Sequence, residues 1–293
     1  MALLKLMLDL RRLHDWKIQI WHGDHCWHNQ SGQIANELKC WCSKEGLKFF
    51  CDRASKEETK NEAKARDWRY KCLLSTAKLL SKNNPALHCK HILTGHTSSD
   101  RAETLLLNLA RGSDLAGLSS LNAERDLSKR VKLVRPLLIF SRNETAEICQ
   151  QLKLPIWIDP SNANINFSRN KVRQKVIPIL EELHPGCSIR MASLSERFLQ
   201  HKNDQKAMAL LLIETLKSSD GLCRVSLSKL PLTARATVLA VWIKQNEIPV
   251  ISSKQLEEIS QKTDKSKPPG CSHLPNKWKI LWDRESIQLV GPN

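Results

Sequence analysis

The chain has 293 residues, which is long enough for one large domain or two ordinary ones. Lysine and arginine outnumber aspartate and glutamate by 16, which favours a polyanionic partner such as a nucleic acid, with a membrane surface or simple solubility as the alternatives. No apolar run is long enough to cross a bilayer and the ten cysteines include no CxxC pair, so we expect a cytoplasmic protein with reduced thiols rather than a disulfide scaffold or a zinc ribbon.

The first predicted element is an amphipathic helix at the very start of the chain. The stretch MALLKLMLDLRRL repeats apolar residues at three- and four-residue spacing, but no Ser, Thr, Asp or Asn precedes it as an N-cap. A strand follows in WKIQIW, from Trp16 to Trp21, and runs into the polar loop HGDHCWHNQS. The next predicted helix begins near Ser31 and ends at Gly46, which has the position of a C′ glycine.

The region up to residue 185 continues to alternate strands with helices. The predicted elements are the strand LKFFC, a helix over residues 61–80, the strand HILTG, a helix from Asp100 to Arg111, a strand near KLVRPLL, a helix that begins with the capping box Ser141-x-x-Glu144 and ends before Pro155, and a last strand in PIWID. This alternation predicts an α/β domain over residues 1–185 with a doubly wound, mostly parallel sheet. Because the order begins with a helix, we expect the sheet to lack its first strand.

The character of the sequence changes near the segment His184-Pro185-Gly186. A long helical stretch follows, then a short predicted strand in CRVSL, helices around TARATVLAVWIKQ and SKQLEEISQ, and a closing hairpin of KWKILW and SIQLV. We therefore predict a second, smaller and mainly helical domain over residues 186–293.

The stretch TGHTSSDRAETLLLNLARGSDLAGLSSL, residues 94–121, is the most informative about function. It ends a predicted strand at Gly95 and His96, and it puts Asp100 and Glu103 on the first turn of the next helix. Ligands bind at this place in open parallel sheets, outside the carboxyl ends of the strands. The spacing leaves three interpretations open, namely a capping box, a site for an ammonium group and a site for magnesium.

The loop HGDHCWH spaces His22, His25 and His28 three residues apart, with Cys26 among them. A metal site needs further ligands, and no second cluster supplies them convincingly. We therefore favour histidines that line a ligand site or form hydrogen bonds over a zinc site.

Pairs of arginines stand at the beginnings of two predicted helices. NEAKARDWRY contains Arg66 and Arg69, and DPSNANINFSRNKVRQKVIPIL contains Arg169 and Arg173 after an Asx-type turn at Asp159. Planar guanidinium groups in these positions fit phosphate binding, and solvated surface charge is the alternative.

The sequence resembles the tRNA(Ile)-lysidine synthetases of the PP-loop ATP-pyrophosphatase superfamily in five segments that occur in the family's order: QIWHGDHCWH, NEAKARDWRY, TGHTSSDRAETLLLNLARGSDLAGLSSL, VRPLL and WIDPSNANINFSRNKVR. The GHxxxDxxET and DPSN…RN blocks are specific to that family. The resemblance implies that ATP adenylates the C2 oxygen of the wobble cytidine in the tRNA(Ile) with a CAU anticodon, and that free lysine then displaces AMP. It implies ATP with Mg²⁺ as cofactors and tRNA and L-lysine as partners, and we carry a homodimer forward as a hypothesis.

The resemblance also assigns roles to individual residues. Asp100 and Glu103 would bind the lysine ammonium group, Arg66 and Arg69 would lie toward the activated intermediate or the tRNA phosphate, and the other basic residues would line the cleft or hold phosphates. The residues expected to be catalytic are Asp100, Glu103 and Arg66, and those expected to bind substrates are His22, His96, Arg69, Arg111, Arg169 and Arg173.

One family motif does not occur in these residues. The loop SGGxDS, whose backbone N–H groups cradle the pyrophosphate of ATP, would directly precede the helix that begins at Met1. We therefore expect the reading frame to continue upstream of Met1, and the 293-residue chain alone to aggregate and to bind no ATP. Two classes of function stay open on the sequence, namely the ligase and a non-catalytic tRNA-binding protein that has lost ATP chemistry.

Overall fold

A computed structural model describes residues 1–83 and 88–292 of the chain. The backbone divides into two units, Met1–Leu199 and Gln200–Asn293. Within the described residues, no helix combines the length and the apolar character that a membrane span requires.

The first unit alternates helices and strands, and its predicted α/β class is confirmed. Its helices are α1 (Ala2–Leu10), α2 (Ser31–Lys44), α3 (Glu62–Asn83), α4 (Ser98–Ala110), α5 (Leu115–Leu118), α6 (Arg142–Gln151), α7 (Ser168–Lys171), α8 (Ile177–Leu183) and the beginning of α9 (Cys187–Leu216), with 3-10 turns at Pro136–Ile139 and Pro160–Ala163 and a π-helical turn at Val172–Val176. Its strands are β1 (Gln19–Asp24), β2 (Lys48–Arg53), β3 (His91–Leu93), β4 (Glu124–Ser128) and β5 (Val131–Val134).

These strands form two sheets in the part of the chain that the structure describes. β1 and β2 are parallel, β3 and β5 are parallel, and β4 pairs with the other edge of β5 in the antiparallel direction. Leu133 on β5 is completely buried and packs in a cluster with Tyr70 and Ala77 of α3. The parallel pairing brings the carboxyl ends of the paired strands to one edge of each sheet, where polar side chains follow.

Two helix ends confirm the local patterns seen in the sequence. Gly46 follows α2 with φ +66°, and the Leu47 N–H donates to the Cys42 carbonyl at 2.8 Å, which is a glycine-dependent helix end. Ser141 caps α6: its Oγ accepts from the Glu144 N–H at 3.2 Å, and the Glu144 carboxylate accepts from the Ser141 N–H at 2.6 Å. This cap fixes where α6 begins.

Some predictions for the first unit are wrong. The residues PIWID form no strand, because the Trp157 indole donates to Glu37 on α2 at 2.7 Å and Asp159 caps the following 3-10 turn. The strand β4 was not predicted, since its sequence ERDLS has little apolar alternation and its pairing comes from β5. The predicted strand WKIQIW begins later than expected, at Gln19, and extends to Asp24.

The second unit contains an antiparallel sheet, so the prediction of a mainly helical domain is wrong. Within its described residues the strands are β6 (Lys217–Ser218), β7 (Gly221–Cys223), β8 (Gly270–His273), β9 (Lys279–Trp282) and β10 (Ser286–Val290), in the order β6-β7-β10-β9-β8, and the helices are the end of α9, α10 (Arg224–Ser228), α11 (Leu232–Gln245) and α12 (Ser253–Lys262). The predicted hairpin of KWKILW and SIQLV is confirmed as β9 and β10. Leu222, Ile280 and Ile287 are completely buried in the core of this unit.

The segment CRVSL was predicted as a strand, but the strand β7 ends at Cys223 and α10 begins at the next residue. The reason is the side chain of Arg224, which is 1% exposed. Its guanidinium group donates to the backbone carbonyls of Thr263, Asp264, Lys267 and Asp283. Arg224 therefore joins α10 to the loop after α12 and to the turn between β9 and β10.

We predict that Arg224→Met lowers the free energy of unfolding by about 3 kcal/mol or more, because several buried carbonyls lose their donor at once. Urea denaturation followed by circular dichroism measures this change. Arg284→Met is the matched control, since Arg284 is exposed on the neighbouring turn and its loss should cost less than about 0.5 kcal/mol. Equal stabilities of the two variants would contradict the structural role of Arg224.

Candidate active site at the carboxyl ends of the strands

Polar side chains gather where three strands of the first unit end. β1 ends at Asp24, β3 leads to His96, and β5 is followed directly by Arg135. A cavity of about 500 Å³ opens beside these ends, and its walls include His22, Asp24, His25, Trp27, Arg142 and Asp159. This volume lies within the range that is usual for small-molecule sites, which is about 300–1,000 Å³.

Asp100 participates in the start of α4, although the predicted helix start at Asp100 and the predicted capping box with Glu103 are both wrong. The helix begins at Ser98, and Thr97 is the N-cap residue. The Thr97 backbone N–H and hydroxyl both donate to Asp100 Oδ2, at 2.8 and 2.9 Å. Asp100 is thus the N3 residue of the capping box that begins at Thr97, and Glu103 takes no part in capping the helix.

Glu103 is completely buried and accepts hydrogen bonds from three arginines. Its Oε1 lies 3.0 Å from Arg142 Nη1 and 2.7 Å from Arg173 Nε. Its Oε2 lies 2.9 Å from both Arg169 Nε and Arg173 Nη2. A buried carboxylate is stable only when it is paired in this way, so Glu103 holds the segment around α7 against α4.

Arg142 joins the two acidic residues. Its Nη2 lies 2.9 Å from Asp100 Oδ1, while its Nη1 binds Glu103, so that one guanidinium group bridges both carboxylates. The same side chain forms part of the cavity wall. Arg142 was not among the predicted site residues, although it directly follows the N-cap Ser141 of a helix that comes after a predicted strand, and this position could have suggested it.

The electrostatics keep both carboxylates ionised. Burial by itself raises the pKa of Asp100 and of Glu103, but the neighbouring guanidinium groups lower both values below the ordinary range. The Thr97 N–H contributes to the same lowering at Asp100.

His96 stays neutral in this setting, because burial lowers its pKa to about 4. The charge of Asp100 opposes that shift, and the nearby guanidinium groups of Arg135, Arg169 and Arg69 add to it. The His96 Nδ1 lies 2.8 Å from the Thr94 hydroxyl. A neutral imidazole adds no positive charge to a site that already contains several arginines.

The histidines of the loop after β1 line the cavity. Burial, with the charge of Arg69, lowers the pKa of His25 to about 4, and Arg69 Nη2 lies 3.1 Å from His25 Nε2. Because arginine can only donate, Nε2 is the acceptor and the ring proton lies on Nδ1. That Nδ1 is buried without a hydrogen-bond partner among the described residues. The ring stacks on Trp27 with 4.8 Å between the ring centres, so the pair forms an aromatic part of the cavity wall.

The predicted site residues do not all come together. Asp100, Glu103, Arg169 and Arg173 are in contact, and His22 lines the cavity. His96 and Arg69 lie in the same region, since the charges of Asp100, Arg169 and Arg69 all shift the pKa of His96. Arg66 lies one helical turn before Arg69, with its guanidinium carbon 5.2 Å from the centre of the Tyr70 ring. Arg111 is exposed at the other end of α4, about 16 Å along the helix axis from Asp100.

No three His, Cys, Asp or Glu side chains come close enough to hold a metal ion in residues 1–83 and 88–292. His28 Nε2 lies 3.2 Å from Asp159 Oδ1, which gives that histidine a protein partner. The residues of the loop HGDHCWH line the cavity.

Comparisons with known proteins relate the chain to one family. The family model of the PP-loop domain matches residues 1–180. Proteins named tRNA(Ile)-lysidine synthase from two strains of Prochlorococcus marinus are 52% and 47% identical to the chain, and the alignments cover 99% of the chain and 87% and 89% of those relatives. The protein of the same name from Parasynechococcus marenigrum is 43% identical, over 100% of the chain and 86% of its own length.

We predict that Glu103→Gln lowers the free energy of unfolding by about 3–5 kcal/mol, because three guanidinium groups lose their common counter-charge in a buried place. Chemical denaturation measures the change. Glu57→Gln is the control, since its ion pair with Lys64 is exposed and should contribute less than about 1 kcal/mol. A Glu103→Gln variant as stable as this control would contradict the anchoring role.

The lowered carboxylate pKa values also predict how stability depends on pH. Asp100 and Glu103 stabilise the fold fully above their unfolded-state pKa values, near 4, and this contribution is lost as the pH falls through the lower folded-state values. We expect the free energy of unfolding to decrease below about pH 4, and to decrease less steeply in Glu103→Gln. Identical acid profiles for the two proteins would rule out this contribution.

Proposed function

The chain belongs to the tRNA(Ile)-lysidine synthase family of PP-loop proteins, and we propose that it joins free lysine to the wobble cytidine of the tRNA(Ile) with a CAU anticodon, at the expense of ATP. The observation that supports this most directly is the carboxylate pair Asp100–Glu103, bridged by Arg142 on the wall of a nucleotide-sized cavity.

The cavity fits a nucleotide. Its aromatic wall of His25 and Trp27 suits a base. Arg142, which also lines this cavity, would meet the phosphates. ATP supplies the adenylyl group that activates the cytosine C2 oxygen, and Mg²⁺ would enter with its phosphates.

Asp100 is the group that we propose for recognition of the lysine ε-ammonium group. Its side chain is 14% exposed, whereas that of Glu103 is 1% exposed. An ammonium group can therefore reach Asp100 Oδ1 by taking the place of one Arg142 N–H. Glu103 would act through the arginines that it holds in position.

The same arrangement favours the nucleophilic form of lysine. An ammonium group must lose a proton before its nitrogen can attack a carbon atom, and neighbouring positive charges make that loss easier. Arg142 and Arg173 lie beside Asp100 Oδ1, where the ammonium group would bind, and Arg169 donates to the Asp100 backbone carbonyl. The neutral His96 adds no positive charge that would repel the cation. Asp100 thus attracts the substrate, and the arginines counteract the rise in amine pKa that its carboxylate causes. The proton would pass to solvent before the nitrogen attacks C2 and AMP leaves.

The test is formation of lysidine on a CAU tRNA(Ile) transcript by the purified protein. Mass spectrometry of the digested tRNA should show lysidine only when ATP and lysine are both present. A tRNA with guanosine at the wobble position is the control and should remain unmodified. No lysidine in the complete reaction would overturn the proposal.

We predict that Asp100→Asn raises the KM for lysine at least about tenfold, the equivalent of one lost charge-assisted contact of about 1.4 kcal/mol or more, and leaves the KM for ATP within about twofold. The variant retains an oxygen that accepts from Thr97, so α4 should stay capped. Asp114→Asn, at the N-cap of α5, is the control for loss of an aspartate cap. Unchanged lysine kinetics would remove Asp100 from the site.

A further inference from the structure

A second group of arginines surrounds Tyr70, apart from those that bind Glu103. The guanidinium carbons of Arg66 and Arg125 lie 5.2 and 4.8 Å from the centre of the Tyr70 ring. Arg135 follows β5 directly and is 2% exposed. Burial lowers its pKa, and the charges of Arg125 and Arg66 lower it further, whereas the nearby Tyr70 raises it. We refer to Arg66, Arg125 and Arg135 as the Tyr70 arginine cluster.

The Tyr70 arginine cluster lacks a counter-charge in the part of the chain that the structure describes. The ion pairs of this unit engage other basic residues: Glu103 and Asp100 bind the arginines of the active site, and Glu124, beside Arg125, pairs with Lys132 at 3.5 Å. Arg135 donates to the Asn122 carbonyl through Nη1, but its buried Nε has no partner among the described residues. Three like charges held together without an anion repel one another, and a bound anion would relieve that repulsion.

The geometry leaves donors available for such an anion. A guanidinium group that stacks on an aromatic ring is held by its face, so the N–H groups at its edge remain free for phosphate oxygens. Arg125 is exposed on β4 and can reach a ligand in solvent, while Arg135 supplies a fixed charge beneath it. The cluster also lies near the active site, because the Thr94 N–H donates to the Val134 carbonyl at 3.0 Å and so holds the segment that contains His96 beside Arg135.

We propose that the Tyr70 arginine cluster binds a backbone phosphate of the tRNA and so holds the strand whose wobble base enters the active site. This inference rests on the proposed function, which supplies tRNA as the substrate. Arg125 is the residue that contacts the phosphate, and Tyr70 and Arg135 position it.

The experiment compares Arg125→Gln and Arg125→Lys with the wild-type protein, and uses Arg130→Gln as the matched control. Arg130 lies at the turn between β4 and β5, at the other end of β5 from Arg135, and its loss removes the same charge from the same hairpin. The measurements are the Kd for tRNA(Ile) at several salt concentrations, the KM values for tRNA and for ATP, kcat, and Tm.

Arg125→Gln should weaken tRNA binding about fivefold or more and reduce the slope of log K against log salt concentration by about one. We expect kcat, the KM for ATP and Tm to stay close to wild-type values, Arg125→Lys to recover part of the affinity, and Arg130→Gln to resemble the wild type.

The proposal would be overturned by wild-type affinity and salt slope in Arg125→Gln, by an equal loss in Arg130→Gln, or by a change in the KM for ATP instead of the KM for tRNA. A large fall in Tm with an unchanged salt slope would assign Arg125 to packing and would also overturn it. If the wild-type protein forms no lysidine, the proposed function fails, whereas the salt slopes still test the phosphate contact separately.

Discussion

The buried carboxylate of Glu103 is the interaction on which the candidate active site depends. An ionised carboxyl group without solvent is unfavourable unless cations and hydrogen bonds compensate it, and here three guanidinium groups do so. They come from α6 and from the segment around α7, so a single charge on α4 determines where both elements lie. It also sets the position of Arg142, which connects the acidic pair to the cavity wall.

The distribution of charge in the first unit suits both anionic and cationic reactants. The arginines of the candidate active site and of the Tyr70 arginine cluster create a positive region, which suits the proposed reactants ATP and tRNA because both are polyanions. The carboxylate of Asp100 lies within that region and is partly accessible, so it provides a binding site for a cation. Burial keeps His25 and His96 neutral, so the balance between these charges does not change around neutral pH.

The second unit uses a buried arginine in a different way. Arg224 carries its charge into the core, but its partners are backbone carbonyls of two loops rather than carboxylates. Arg235 follows a related scheme, with bonds to the carbonyls of Ser228 and Ser260 and an ion pair to Asp264 at 2.9 Å. In both units arginine joins segments that are distant in sequence, because one guanidinium group can donate in several directions at once.

The sequence by itself determined the features whose causes lie within a few residues. The cap at Ser141, the C′ glycine at Gly46 and the hairpin of β9 and β10 depend on local periodicity and on local hydrogen bonds, and all three were predicted. The GHxxxDxxET block likewise directed attention to Asp100 and Glu103. Only the tertiary structure decided which groups these residues contact. The partners of Glu103 lie 39, 66 and 70 residues away along the chain, and the helix at Arg224 exists because carbonyls from other loops accept its donors. Long-range ion pairs and hydrogen bonds of this kind leave no periodic trace in the sequence, since they depend on which segments the fold brings together.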